Sequence, residues 1–181
     1  MFKELQFISD SGSEFSQSIV SISKDLTSKG HFNDAREFIR YCNSKIEQIE
    51  VLREGARVMF VMRYFRESIE YFEKVGQLER FANHETFSDM ARCVFEMGKI
   101  DLAESEGFDY ANRALQLNSK STQALLNKGN LLELAGQADK ALVCYEKALA
   151  IEPNLLGAIV NMGNLLYEKE QYEEACLKYL Q

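Results

Sequence analysis

The chain has 181 residues, 46% of them hydrophobic and 27% charged, and a net charge of −7 at neutral pH. That balance excludes a disordered chain, and the negative charge argues against binding nucleic acid by neutralising phosphates. No stretch reaches the roughly 20 apolar residues that cross a bilayer, and the single Pro leaves nearly uninterrupted helix open to the whole sequence.

In chain order, residues 1–15 read as a short leading helix on Phe2, Leu5, Phe7 and Ile8, followed by a linker, Ser9-Asp10-Ser11-Gly12-Ser13. From residue 16 onward small residues recur. Ser23, Ala56, Ala91, Gly129 and Gly163 form one series; Ala35, Ser68, Ala103, Ala141 and Ala175 form a second, each twelve residues after its counterpart. Successive members of either series are 33, 35, 38 and 34 residues apart. A period of this length marks a stacked array of helical units. A helix-turn-helix hairpin accounts for the twelve-residue offset, because two helices crossing closely need a small residue at the crossing. The units are expected at 16–48, 49–83, 84–121, 122–155 and 156–181, the last incomplete.

Each unit reads as two amphipathic helices. In the fourth, Leu125, Leu132 and Leu134 mark the first helix, and Leu142, Tyr145 and Leu149 the second, at helical rather than alternating spacing. The turns inside the hairpins are Lys29-Gly30-His31, Arg63-Tyr64, Gly98-Lys99, Gly136-Gln137 and Glu170-Gln171. Gly at three of them suits a helix end that needs a left-handed residue. Phe32, Phe65, Ile100, Ala138 and Tyr172 come next and are expected to pack into the hinges. The third unit is long, and Glu104-Ser105-Glu106-Gly107 holds the excess, either as an extra turn of the second helix or as a bulge at Gly107.

Cys42, Cys93, Cys144 and Cys176 form no C-x-x-C pair and have no His close by in sequence. They read as free buried thiols of a reducing compartment, with the cytoplasm as the default location. There is no P-loop, no Ser-His-Asp set and no metal-ligand cluster. No catalysis, cofactor or metal is therefore expected. The lone His31 and His84 read as surface or capping residues, and Glu104, Glu106 and Asp109 as a solvated helix face. Tyr71, Phe72, Tyr145 and Tyr179 read as core aromatics.

The pattern of Gly129, Ala141, Tyr145, Ala148 and Pro153, then Gly163, Tyr172, Ala175 and Tyr179, resembles the tetratricopeptide repeat. The likeness is looser in the first three units, where Ser23, Ala56 and Ala91 replace the Gly and no Pro closes a unit. The resemblance implies an all-α fold: a right-handed α-solenoid, or superhelix, of antiparallel helix-turn-helix repeats. It further implies that the first helix of each hairpin lines a groove for a peptide or helix from a protein partner. Family members that grip a chaperone's terminal carboxylate carry a Lys four residues before an Asn on this groove. The matching pairs here are Val20/Lys24, Arg53/Arg57, Ser88/Arg92, Leu126/Asn130 and Val160/Asn164, so that clamp is missing.

Spacing on the first helices points to Lys24, Arg53, Arg57, Phe60, Arg92 and Phe95 in the first three repeats. It adds Asn127, Asn130, Asn161 and Asn164 in the last two. The basic set fits an acidic partner or local pairing with Glu50, Glu54, Glu85 and Asp89. Phe60 and Phe95 fit exposed groove aromatics or packing between hairpins. The Asn pairs resemble the asparagine ladders of sugar-transferring and motor-adaptor relatives, which hold the main chain of an extended peptide; alternatively they brace neighbouring hairpins. The expected function is thus an interaction scaffold for a protein or peptide partner, with no nucleic acid and no membrane insertion. Two alternatives stand beside it: a self-assembling homo-oligomer, and the regulatory region of a longer enzyme.

Overall fold

The computed structural model describes residues 12–44, 48–79 and 83–180; all described regular structure is helical. The chain divides into two compact units, Met1–Phe81 and Ala82–Gln181. The leading helix and the Ser9–Ser11 stretch of the expected linker lie outside the described residues, whereas Gly12 and Ser13 open the first helix rather than forming a linker.

The first unit holds α1 (Gly12–Ser28), α2 (Phe32–Asn43), α3 (Ile49–Val61) and α4 (Phe65–Leu78), paired as two hairpins. Helix α3 packs on both α1 and α2 as well as on its own partner α4. Ile19, Ala35, Phe38, Ile39, Cys42, Val51 and Val58 form a shared core, so neither hairpin's apolar face is buried by that hairpin alone. On the second helices, Glu67 receives hydrogen bonds from Arg36 at 2.9 Å and Arg40 at 2.6 Å, tying α4 to α2. The Arg36 guanidinium also lies 4.1 Å from the centre of the Tyr64 ring.

The second unit holds α5 (His84–Met97), a long second helix, then α8 (Thr122–Leu134) with α9 (Ala138–Ile151), and α10 (Leu156–Glu168) with α11 (Tyr172–Tyr179). The long helix is α6 (Ile100–Leu102), a π-helical turn (Ala103–Gly107) and α7 (Phe108–Leu117) run together. It spans 100–117, four residues more than the 14 of α9. The extra turn and the bulge are therefore one feature: four additional residues, with one of the turns wound as π. Gly107 sits where this turn presses on its neighbours. A Cβ there would stand 2.8 Å from Cδ2 of Leu131 and 3.1 Å from Cγ1 of Val94.

All ten residues of the two small-residue series are buried. Ser68 shows directly that the series face each other, since its Oγ donates to the carbonyl of Ala56, twelve residues back, at 2.8 Å. Gly129 shows why size matters. A Cβ at this position would lie 2.3 Å from Cε1 of Tyr145.

The turns are equally regular. Gly30, Gly98 and Gly136 take φ of +79°, +64° and +71°, and Arg63 and Glu170, at the same turn position, take +63° and +62°. In four hairpins the next N–H reaches back five residues: His31 to Leu26, Tyr64 to Met59, Gln137 to Leu132 and Gln171 to Leu166, at 2.8–2.9 Å. That bond closes a helix end and needs the left-handed residue. It forms in two hairpins that have no Gly to offer. The hinge expectation is corrected in part. Phe65 is buried, edge-on to Phe60 at 5.4 Å. Phe32, Ile100 and Tyr172, at the same helix-opening position, are exposed, although Tyr172 meets Tyr167 edge-on at 5.1 Å, and Ala138 is half-buried. Cys42, Cys93 and Cys144 are buried as expected, but Cys176 is exposed on α11. Burial pushes the Cys42 thiol up to about 11. Phe72 and Tyr145 are buried and Tyr71 half-buried, while the Tyr179 side chain lies outside the described residues.

Gly129→Ala is expected to lower stability by about 1–3 kcal/mol, the range for overfilling a packed core; urea unfolding of both proteins measures it. Acid should act through Glu67. Burial alone would raise its carboxyl, but Arg40 and Arg36 outweigh that and hold it below the usual carboxylate range. Its stabilising contribution is present above the ordinary value and lost as pH falls through the depressed one. The gap in urea midpoint between wild type and Glu67→Gln should therefore narrow as pH is lowered from about 6 to about 3.

Candidate functional site

The residue after each small residue of the first series defines one register on the first helices: Lys24, Arg57, Arg92, Asn130 and Asn164. None is buried and all can hydrogen-bond, so each unit presents its own row of polar side chains. Lys24 is exposed on α1, and one turn on, the Thr27 hydroxyl folds back onto the Lys24 carbonyl at 3.0 Å. Arg57 on α3 donates Nε and Nη2 to the Glu54 carboxylate at 2.9 and 2.7 Å. Its Nη2 also donates to Thr27 Oγ1 at 3.0 Å, joining α3 to α1. The bond to Glu54 makes the Arg57 guanidinium hold its proton more tightly than usual. Arg92 and Asn164 are exposed and have interactions of their own.

Glu54, Asn127 and Asn161 occupy a second register, two residues before the small residue, and the two amides reach back to the preceding hairpin. Asn127, 2% exposed, donates Nδ2 to the Ser88 carbonyl at 2.8 Å and to the Ser88 hydroxyl at 3.0 Å. Its Oδ1 accepts from Gln123 at 3.0 Å. Asn161 donates to Oδ1 of Asn130 at 2.7 Å, and the same oxygen accepts from the Tyr145 hydroxyl at 2.9 Å. Thus Asn127 and Asn161 brace successive hairpins, the oxygen of half-buried Asn130 receives the second of these braces, and Asn164 stands exposed in the outward row.

The other basic residue, Arg53, is ion-paired with Glu79 at the end of α4 rather than with a neighbour on its own helix. Phe60 and Phe95 are half-buried on the outer part of α3 and α5. Among the described residues, sequence reasoning did not single out Ser88, Gln123 or Glu79. Ser88 acts chiefly through its main-chain carbonyl, which no residue pattern advertises. Next to the Asn127–Ser88 contact, a polar cavity of about 460 Å³ opens between α5 and the start of α8, lined by residues that include His84, Glu85, Asp89, Lys120 and Gln123. Its edge is fixed by Asn118, whose Oδ1 accepts from the Lys120 N–H at 3.1 Å and whose Nδ2 lies 3.2 Å from His84 Nε2.

Residues 122–155, the α8–α9 hairpin and the turn after it, match the family model of the tetratricopeptide repeat. The chain carries a tetratricopeptide repeat, and its helical hairpins have the fold of tetratricopeptide-repeat proteins. A curated relative, BBSome complex member BBS4 from Bos taurus, is 24% identical over 124 residues, which are 68% of this chain. The matched part is 23% of that relative's length. The crystal structure of MamA superposes with a TM-score of 0.68 at 21% identity, covering 87% of this chain and 90% of that one. The crystal structure of YrrB superposes with a TM-score of 0.61, also at 21% identity, covering 88% and 80%. No helix among the described residues is long and apolar enough to cross a membrane.

Bracing and presentation should separate on mutation. Asn127→Ala removes the buried donor to the Ser88 carbonyl and hydroxyl and leaves a void between α5 and α8, at an expected cost of about 1–3 kcal/mol. Asn164→Ala, on the exposed row, is expected to stay within about 0.5 kcal/mol. Chemical unfolding of the two variants against wild type makes the comparison.

Proposed function

We propose that the chain is a protein-interaction scaffold, and that the outward rows of its first helices hold an extended or acidic segment of a protein partner. The single observation that carries this reading is the register itself. Lys24, Arg57, Arg92, Asn130 and Asn164 repeat one chemical type, a hydrogen-bonding side chain kept out of the core, at one position of every hairpin. Packing does not require it, since the small residue beside each already serves the crossing. Arg57 uses Nε and Nη2 on Glu54 and Thr27, so its guanidinium is held in place rather than left to wander. A pre-positioned donor gives up little freedom when a carbonyl or carboxylate arrives. Asn164 offers the amide chemistry that matches an extended main chain, and Asn130, whose oxygen is held by Tyr145 and Asn161, contributes its amide donors.

The fold supports the same reading, because stacked helical hairpins present long surfaces to partners. YrrB is described as a TPR protein with an unusual peptide-binding site, and the bovine relative as a member of a complex. The cavity between α5 and α8 gives room for a side chain of the partner segment. The residues proposed to contact the partner are Lys24, Arg57, Arg92, Asn130 and Asn164, with Arg53, Phe60 and Phe95 flanking them.

Affinity capture from the host, run with wild type and with a Lys24→Glu, Arg92→Glu double variant, tests the reading. Both positions are exposed, so circular dichroism should be unchanged while the captured partner is lost. Retention of the same partner at the same salt concentration would refute the assignment to these rows.

A further inference from the structure

Where the fourth and fifth hairpins meet, four side chains share too few protons. The Tyr145 side chain on α9 is fully buried, and its hydroxyl oxygen lies 2.8 Å from Oε2 of Glu133 and 2.9 Å from Oδ1 of Asn130, both on α8. The same Asn130 oxygen accepts the Asn161 amide from α10 at 2.7 Å. A phenol carries one hydroxyl proton, and an ionised carboxylate and an amide oxygen are both acceptors only. With Glu133 ionised, the Tyr145 proton serves one of them and leaves the other oxygen facing the phenol's lone pairs at hydrogen-bond distance. One proton added to Glu133 removes the conflict. The carboxylic acid then donates to the Tyr145 oxygen, Tyr145 donates to Asn130, and Asn161 donates to Asn130 as well.

We propose that Glu133 is a proton-operated latch: once neutral, it completes a relay through Tyr145 to Asn130, fixes the oxygen on which Asn161 of α10 rests, and so firms the seat of the α10–α11 hairpin on the α8–α9 hairpin. The step is acid–base alone. A proton passes from solvent to a half-buried carboxylate, and no covalent bond other than O–H forms. The ionisable groups that act on Glu133 are Tyr145 from α9 and Glu168 from α10, and neither supplies positive charge. Burial first, then the charge of Glu168, push the Glu133 carboxyl above the usual carboxylate range against the opposing hydrogen bond of Tyr145. Burial, followed by the charge of Glu133, pushes the Tyr145 phenol up as well, so it keeps its proton throughout.

The sign follows from a raised folded value. The latch's contribution is complete below the carboxyl's ordinary range and is lost as pH rises through the raised value. The Glu67 contact in the first unit has the opposite sign, since its depressed carboxyl gives up its contribution only in stronger acid.

Hydrogen exchange of the α8 to α11 amides in the full chain, corrected for the intrinsic pH effect, tests the latch between about pH 8 and about pH 4, below the ordinary carboxyl range. One restored hydrogen bond corresponds to roughly a fivefold gain in protection on acidification. Glu133→Gln, a permanently neutral donor, should be insensitive to pH and protected at the acid level. Tyr145→Phe should be insensitive and unprotected, and Glu168→Gln should keep the response but move its midpoint to lower pH. Equal protection of the wild type at both pH values would overturn the proposal, since Asn130 would then donate to Tyr145, and Tyr145 to an ionised Glu133. A pH response that survives in Glu133→Gln would overturn it equally, by placing the proton elsewhere.

Discussion

Everything in this fold depends on how closely two helix axes approach within a hairpin. Five first helices meet five second helices at pairs of small residues twelve apart, and all ten of those residues are buried. A larger side chain at such a crossing has nowhere to go. At Gly129 the space belongs to the Tyr145 ring; Gly107, outside the two series, is hemmed in the same way by Leu131 and Val94. The close crossing leaves each hairpin as a thin two-helix layer with apolar surface on both sides. Such a layer is stable only when another covers it, as α3 covers α1 and α2 in the first unit.

Layering decides which polar groups are spent on structure and which face outward. A side chain two residues before the small residue points back to the preceding hairpin, so Asn127 and Asn161 are absorbed as braces. The side chain one residue after it stays out of the core: Lys24, Arg92 and Asn164 are exposed, while Arg57 and Asn130 are half-buried and also reach a neighbouring hairpin. Three residues of helix turn the side chain by about 300°, which leaves both positions on one face about 60° apart, so one reaches the preceding hairpin and the other a neighbouring hairpin or solvent. Glu133 and Tyr145 lie where the two roles overlap, which is why a proton count matters there.

The repeat period, hairpin pairing and turn positions were legible in the sequence, because each is imposed by sterics that only a few residue types satisfy. The left-handed turn residue was legible at Gly30, Gly98 and Gly136. At Arg63 and Glu170 only the alignment with the other hairpins showed it, since the residues themselves give no hint. The π turn at Ala103–Gly107 was visible as surplus length but not as geometry, because an added turn and a bulge use the same four residues. The site was less legible. Asn127-x-x-Asn130 looks like one pair, yet its members face different neighbours. The partner of Arg53, Glu79, lies 26 residues away on another helix, beyond any local spacing rule.

The most direct test of the account is residue-resolved native-state hydrogen exchange on Ala56→Leu, which forces the α3–α4 crossing apart. If the crossing and the layering depend on each other as argued, protection falls together across α3, α4 and the α1–α2 hairpin stacked on them. A loss confined to the turn around residue 56, with α1 and α2 as protected as in wild type, would contradict it.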